Sequence, residues 1–330
     1  MSTIPSLLMI ELLADRKRQL GALHLQAIPS GAEAGHEELS CSHALLSALA
    51  AVVPCLFEAR CFSSLQHDEL LAAHCHPFVD SAVRAADEIF PATLPPDIEW
   101  VSGGWYMSPP EKSSDAQSVS RALALKLMQR VAADADTHEL ENIFRQDPTL
   151  SYHLLRLVNS PGIGNGRKIT SFAQAIILLG RQQLRRWINL MLFASRNKDP
   201  RAPMLMARAA VRARSMELLA RDAGLDRQGQ DRAFMVGMFS LLGVLFGQSL
   251  EDIMRPLQMG EAIDAAVLRQ EGDCGELLAL MTAAEQGNLS VLTPLLAHSG
   301  ISNEDFNQVL IESHLWMVGV VLQNGGGEGV

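Results

Sequence analysis

Three groups of residues have the types and spacing to do chemistry. The first is His67-Asp68, followed by His74, Cys75 and His76. Histidine and cysteine are zinc ligands, and His67 and His74 fall about two helical turns apart, on one side of a helix. Their separations match no closed zinc motif, so ordinary surface histidines are expected and no stoichiometric zinc is predicted. The second group is Gly162, Gly164 and Gly166, with Arg167-Lys168 and Ser171 just after. Free N–H groups at a helix start hold phosphate, but this spacing fits neither a P-loop nor a dinucleotide fingerprint, which leaves turn glycines. The third is Arg185-Arg186-Trp187 together with Arg208 and Arg212. Residues two apart on a helix diverge, so Trp187 is assigned to the core. Arg185, Arg186, Arg208 and Arg212 are then the candidate partner-binding set.

The arginines depend on helices whose limits are written in the chain. Asp136 with Glu139 forms a capping box, and Asp147-Pro148 restarts the chain. Leu150, Leu154, Leu157 and Val158 recur at helical spacing. Ser171 with Gln174 opens a helix that Gly180 closes, and a further one runs to about Ala194. Leu205 to Ala220 is read as a helix with Leu205, Ala209, Met216 and Ala220 inward and Arg208 and Arg212 on a shared outer side. Residues 222–230 are read as a loop, and 261–271, 274–287 and 303–322 as the remaining helices.

Residues 4–13 and 20–28 read as two strands around a turn at Asp15–Arg18. Residues 37–58 carry a helical pattern, with Leu46, Leu49, Ala50 and Val53 on its apolar side. Residues 65–90 carry another, and Pro54 and Pro77 must end or kink these helices. Ile98 to Val101 is a last strand. The run Ala233 to Leu250 is free of charge but contains Gly237, Gly243 and Gly247, so it is read as a buried core helix rather than a membrane span.

Of 330 residues, 48% are hydrophobic and only 5% aromatic, which favours helices and suffices for two modest cores. Cys41, Cys55, Cys61, Cys75 and Cys274 form an odd, irregular set without a secretory leader, expected as reduced thiols in the cytoplasm. The net charge of −10 is segregated. Residues 1–112 hold 6 basic and 14 acidic residues, 156–216 hold 12 and one, and 217–330 hold 5 and 16. Folding can merge such blocks into a balanced surface or leave a basic face toward an acidic or phosphate-rich partner.

The phrases LE..FRQDP.LSYHLLRLVNS, I.SFAQAI.LLG and LRRWINLMLFA resemble the front half of the HDOD domain, a relative of the HD phosphohydrolases. The resemblance continues to about residue 321. It implies an all-helical HD-superfamily domain over 121–323. LLADRKRQLGALHL and GGWYMSPPE resemble the two ends of an EAL domain, the cyclic di-GMP phosphodiesterase module. Residues 1–112 are too few for the whole barrel. The fold class is therefore mainly α, with a small truncated α/β EAL-like region before the HDOD domain, a linker at 113–120 and a flexible tail at 324–330.

By the same resemblance, both catalytic signatures are missing. Leu23-His24-Leu25 stands where the EAL family has Glu-Ala-Leu, and leucine offers no oxygen to a hard cation. Ser240-Leu241 stands where HD enzymes carry the metal-binding His-Asp doublet. The histidines of 113–330 (His138, His153, His298 and His314) precede no aspartate. The chain is therefore expected not to be an enzyme and to need no cofactor or metal. The resemblance implies a bacterial signalling protein acting through protein–protein contacts in a cyclic di-GMP, motility or virulence pathway. A cyclic di-GMP-metabolising enzyme, a sensor kinase or a response regulator is the partner class. The alternatives are a cyclic di-GMP receptor without hydrolysis and a nucleic-acid binder using the 156–216 block. The latter lacks aromatic interleaving and a reading motif, so nucleic acid is not the expected partner, and no membrane insertion is expected.

Overall fold

A computed structural model describes residues 6–28, 42–110, 199–257 and 259–325, with six single positions between 129 and 180. Nearly all of the block 139–194 lies outside the described residues, including Arg185, Arg186, Trp187 and the glycines of 162–166. So do the linker 113–120, Cys41 and residues 326–330. Gly180, one of the single positions, has φ of 69°, the left-handed conformation that suits a helix-ending glycine.

Strands β1 (Leu7–Ala14) and β2 (Leu20–Ile28) form an antiparallel hairpin with Leu7 opposite Ile28 and Leu12 opposite Leu23. Asp15 builds the turn: its Oδ1 accepts the N–H groups of Lys17 and Gln19, each at 2.8 Å. Local side-chain bonding of this kind is why Asp starts turns. Helix α1 (His43–Ala50), strand β3 (Cys55–Phe57), helix α2 (Ser64–Ala72) and strands β4 (His76–Pro77), β5 (Val83–Ala85) and β6 (Trp100–Ser102) follow. The sheet order is β4-β3-β2-β1-β6-β5. β1 is antiparallel to both neighbours, and the other pairs are parallel. β4 and β5 end this order on opposite sides, yet only residues 78–82 separate them. Five residues reach at most about 18 Å, so the sheet must curl back toward itself.

Two sequence expectations fail here. The helical patterns at 37–58 and 65–90 each shrink to one short helix, and strands replace their second halves. The helices end before the prolines, α1 at Ala50 and α2 at Ala72, Pro77 itself lies in β4, and the apolar residues beyond Pro54 enter a parallel sheet. Cys55 and Phe57 are buried in β3, and a short apolar run in such a sheet has no periodicity to separate it from helix.

Helix α3 (Ala202–Asp222) is the axis of the C-terminal part. It packs on α4 (Arg227–Phe239), α8 (Gly272–Glu285) and α10 (Asn303–Gly325), and touches β1 and β2. It is buried on nearly every side from Ala202 to Ala220, as a helix at the centre of a core must be. The expected outer side at Arg208 and Arg212 is therefore a misreading: Arg212 is 5% exposed and Arg208 half-buried. Ala-rich helices pack on all faces, so their apolar stripe does not mark one inward direction.

Asp226 caps α4 through the Gly229 N–H at 2.8 Å, so that helix begins inside the expected loop 222–230. Gly237 lets α4 cross α3 closely, since a Cβ there would lie 2.7 Å from the Ala213 Cα. The expected single core helix over 233–250 is instead interrupted. α4 ends at Phe239, and after Ser240-Leu241 comes α5 (Leu242–Phe246). Gly247 at φ 62° ends α5, and Ser249 caps α6 (Leu250–Met254). Helix α7 (Glu261–Arg269) lies near the expected place. α9 (Leu289–Ser299), with Pro294 inside it, was not expected. α10 runs two residues, Asn324 and Gly325, into the segment read as a flexible tail. One continuous hydrophobic core joins the curled sheet to the helices. Among the described residues no helix is long and apolar enough to cross a membrane.

Candidate functional site at the sheet–helix seam

Where β1 and the loop after β6 meet α3, α8 and α10, the structure forms a half-open cavity of about 490 Å³. Its walls carry Glu11 and Gln26 from the hairpin, Tyr106 from the 3-10 turn Trp105–Met107, Arg208 and Arg212 from α3, Glu285 from the end of α8 and His314 from α10. Met9, Met107, Val211, Met281 and Leu310 supply apolar wall. A mainly apolar cavity with a few convergent polar groups is the usual form of a small-molecule site.

The cavity polar groups divide into closed and open ones. Arg212 is closed. Its Nε donates to Glu285 Oε1 at 2.9 Å, its Nη2 to Glu285 Oε2, and its Nη1 to the Ser240 hydroxyl at 2.8 Å. The fork geometry makes this a strong, specific pair. Burial pushes the Glu285 carboxyl up, but the Arg212 charge and hydrogen bond, then Arg208 and His314, outweigh it and hold the pKa below the ordinary carboxylate value. Ser240, which the sequence resemblance set at the first position of the HD doublet, is thus occupied in binding Arg212. Leu241 is buried in the core.

Arg208 is more open. Both Nε (3.2 Å) and Nη2 (2.8 Å) point at one acceptor, the Tyr106 hydroxyl. Among the described residues no carboxylate lies within salt-bridge distance of it. Burial opposes its charge, yet Tyr106, Glu285 and Glu11 outweigh that and raise its pKa above the ordinary arginine value. His314 is 2% exposed; its Nδ1 lies 2.7 Å from the Leu310 carbonyl oxygen. A carbonyl only accepts, so Nδ1 carries the hydrogen and Nε2 is a bare acceptor. Nε2 has no partner among the described residues. Burial, aided by the Arg208 charge and opposed by the Leu310 bond and Glu285, lowers the His314 pKa to about 4.

Glu11 reaches the cavity from β1. It accepts the Gly103 N–H at 2.9 Å and faces His24 across the hairpin at 3.5 Å. Burial pushes its pKa up, but His24, the Gly103 N–H and Arg208 bring it below the usual carboxylate value. His24 is 3% exposed, stacked on Phe78 at 3.7 Å, with Glu58 3.7 Å from its far nitrogen. Leu23 and Leu25 are core residues.

The structure therefore unites Arg208 and Arg212 but turns them into a cavity rather than toward solvent, and Arg185 and Arg186 lie outside the described residues. Their membership in an exposed arginine face is corrected for Arg208 and Arg212. The described part of the basic block turns inward generally: Arg201, 6% exposed, pairs with Asp199 and donates to the carbonyl oxygens of Ser108 and Val244. His67 spends Nε2 on the Ala59 carbonyl at 2.7 Å, and no cluster of three or more metal-ligating side chains occurs among the described residues. Cys55, Cys61, Cys75 and Cys274 are free thiols. Sequence spacing gave no hint of Glu11, Tyr106, Glu285 and His314 as one group. They sit on four elements, and only the strand register of the hairpin and the docking of α10 bring them together.

A family model described as the HDOD domain matches residues 120–270. The chain is 30% identical over 215 residues to "Cyclic di-GMP phosphodiesterase CdgJ" of Vibrio cholerae, covering 64% of this chain and 49% of that protein. It is 29% identical over 174 residues to "Uncharacterized protein YuxH" of Bacillus subtilis, covering 52% of this chain and 41% of that one. The chain thus spans half or less of the length of these relatives. An HDOD domain protein of unknown function from Geobacter sulfurreducens matches 61% of this chain and 90% of its own, at 17% identity and a TM-score of 0.39. The phosphodiesterase name overturns the expectation that the chain is not an enzyme, because it points to enzymatic activity among related proteins. That expectation rested on two signature positions, and residues at two positions do not exclude chemistry carried elsewhere in a chain.

Proposed function

With an HDOD domain as its premise, we propose that the chain is a signalling component of a cyclic di-GMP-related pathway that acts by presenting a surface to a partner protein in the cytoplasm. The observation that carries this is the seam. A curled sheet and a helical domain share one core, and buried polar groups clamp them together, so a change in one part must be felt as a shifted surface on the other. The pathway is supported by the 215-residue similarity to a protein named cyclic di-GMP phosphodiesterase. An EAL-like origin for residues 1–112 belongs to the same reading. β1 antiparallel beside otherwise parallel strands, in a sheet that curls on itself, is what a shortened barrel of that kind would retain. The inward turn of Arg208 and Arg212 weighs against a nucleic-acid face, since buried guanidinium groups meet no backbone phosphates.

The test is to delete the gene in its own host and measure cyclic di-GMP and motility, then restore wild type or a seam-opening Arg201→Ala variant. The reading expects a changed second-messenger level or a changed response to it, restored by wild type and not by the variant. It also expects a pathway protein to co-purify with wild type. Unaltered levels and responses together with no pathway protein recovered would sink it.

A further inference from the structure

Two of the free thiols lie on neighbouring strands. Leu56 of β3 faces His76 of β4, and Phe57 faces Pro77, in parallel register. One step back along both chains sets Cys55 opposite Cys75. Opposed residues of a parallel pair project to the same face of the sheet, and adjacent strands run about 4.8 Å apart. That spacing falls inside the window of roughly 4.4–6.8 Å between Cα atoms that a disulfide spans. Both side chains are buried, and the two sulfurs are already in hydrogen-bond contact. Cys55 is the donor: the bond to Cys75, together with burial, raises its pKa, and the Val53 carbonyl oxygen lies 3.5 Å from its sulfur. The same bond outweighs burial at Cys75 and brings that thiol below its ordinary value. A low thiol beside a second cysteine is the arrangement of an attacking and a resolving sulfur. Access is set by β4. It is two residues long and ends the sheet order, and His74, His76 and Pro77 around Cys75 are exposed. A short edge strand opens locally at low cost, which admits a small oxidant to a sulfur that the closed sheet covers.

We propose that Cys55 and Cys75 form a reversible redox site, oxidised by peroxide to a cross-strand disulfide between β3 and β4. The Cys75 thiolate attacks one peroxide oxygen and the O–O bond breaks, giving a sulfenic acid. The departing hydroxide takes up the proton that Cys75 released and becomes water. The Cys55 sulfur then attacks the Cys75 sulfur, the S–O bond breaks, and the hydroxyl leaves as water with the Cys55 proton. Overall the two thiols lose two electrons and two protons, and hydrogen peroxide becomes two waters. Two equivalents of a reducing thiol reverse the bond. In a reducing compartment such a disulfide is transient and suits sensing rather than scaffolding. The bridge fastens the edge strand beside Phe78, which stacks on His24. The inference is independent of the signalling reading.

The experiment treats the full, prereduced chain with a few equivalents of hydrogen peroxide and follows it by thiol titration and mass spectrometry. The intact mass should fall by two hydrogens, and titratable thiols should fall from five to three. Proteolysis with fragmentation should place the link at Cys55–Cys75, and dithiothreitol should restore all five thiols. Cys55→Ser should prevent the link and leave a Cys75 sulfenic acid that dimedone labels, with circular dichroism verifying that it folds. Cys75→Ser should abolish both the link and the label. In concentrated urea the preference for this pair should vanish. A link between other cysteines, oxidation at Cys61 while the pair stays reduced, or an equal Cys55–Cys75 yield in urea would overturn the proposal. The wild-type mapping decides this even where a serine variant does not fold.

Discussion

Asn307, on the last helix, brackets the first strand at Leu8. Its Oδ1 accepts the Leu8 N–H at 2.7 Å, and its Nδ2 donates to the Ser6 carbonyl at 2.8 Å. β6 pairs with β1 only at Ala14 opposite Val101, so the start of β1 lacks a strand on that side. One fully buried amide supplies the missing donor and acceptor. Residues about three hundred positions apart are thereby joined through backbone groups that could not otherwise be buried without cost.

Replacing Asn307 by Leu should remove the side-chain hydrogen bonds of the buried Leu8 N–H and Ser6 carbonyl and destabilise the protein by about 2–4 kcal/mol. Urea unfolding, followed by circular dichroism, measures this. Asn307→Asp keeps the acceptor and loses the donor, so its unfolding midpoint should fall between the two. A loss under about 0.5 kcal/mol in Asn307→Leu would show that water or a shifted strand replaces the bracket.

The Arg212–Glu285 pair makes a sharper prediction. Glu285→Gln leaves a buried guanidinium uncompensated and should cost about 3–5 kcal/mol. Replacing both residues by methionine should recover most of that loss, because the desolvation of both charges disappears with them. The comparison is again by denaturant midpoint, and a double variant worse than the single one would refute the argument.

Stability should fall on acidification from His314. Its folded pKa of about 4 lies below the ordinary value of 6.5, so between these values the unfolded chain binds a proton that the folded one refuses. The stability that neutral His314 permits is complete above about pH 6.5 and is lost as pH falls toward 4, by about 3 kcal/mol. Arg208 from α3 and Glu285 from α8 face the ring with opposite effects, and the Leu310 carbonyl of its own helix holds the tautomer. Glu11 and Glu285, with lowered pKa values, add losses only below the usual carboxylate range. Denaturation midpoints measured from pH 7 to 4 should therefore slope downward, and His314→Asn should flatten the slope above pH 5.

Gly237→Ala should cost about 1–3 kcal/mol, since the added methyl meets the Ala213 backbone rather than a movable side chain. Thermal unfolding reads the effect directly. Ala213→Gly combined with it should not rescue, because the atoms met are Ala213 Cα and N, which glycine keeps.

The sequence by itself determined what local chemistry can specify. Alternation and Asp15 defined the hairpin, and apolar periodicity found α7, α8 and α10. The sequence put Ser240 and Leu241 inside one apolar helix, whereas the structure ends that helix at Phe239. Tertiary packing decided the rest. β3 and β4 are strands because neighbours exist for Cys55 and Phe57, which no short run can announce. α3 is buried all round because sheet and helices surround it, so Arg208 and Arg212 face a cavity although their spacing suggested an outer side. The cavity itself joins Glu11, Tyr106, Arg208, Glu285 and His314 from distant parts of the chain. Charge and periodicity are properties of a segment, whereas a site is a property of which segments meet, and only the docking of α10 and α8 on β1 fixes that.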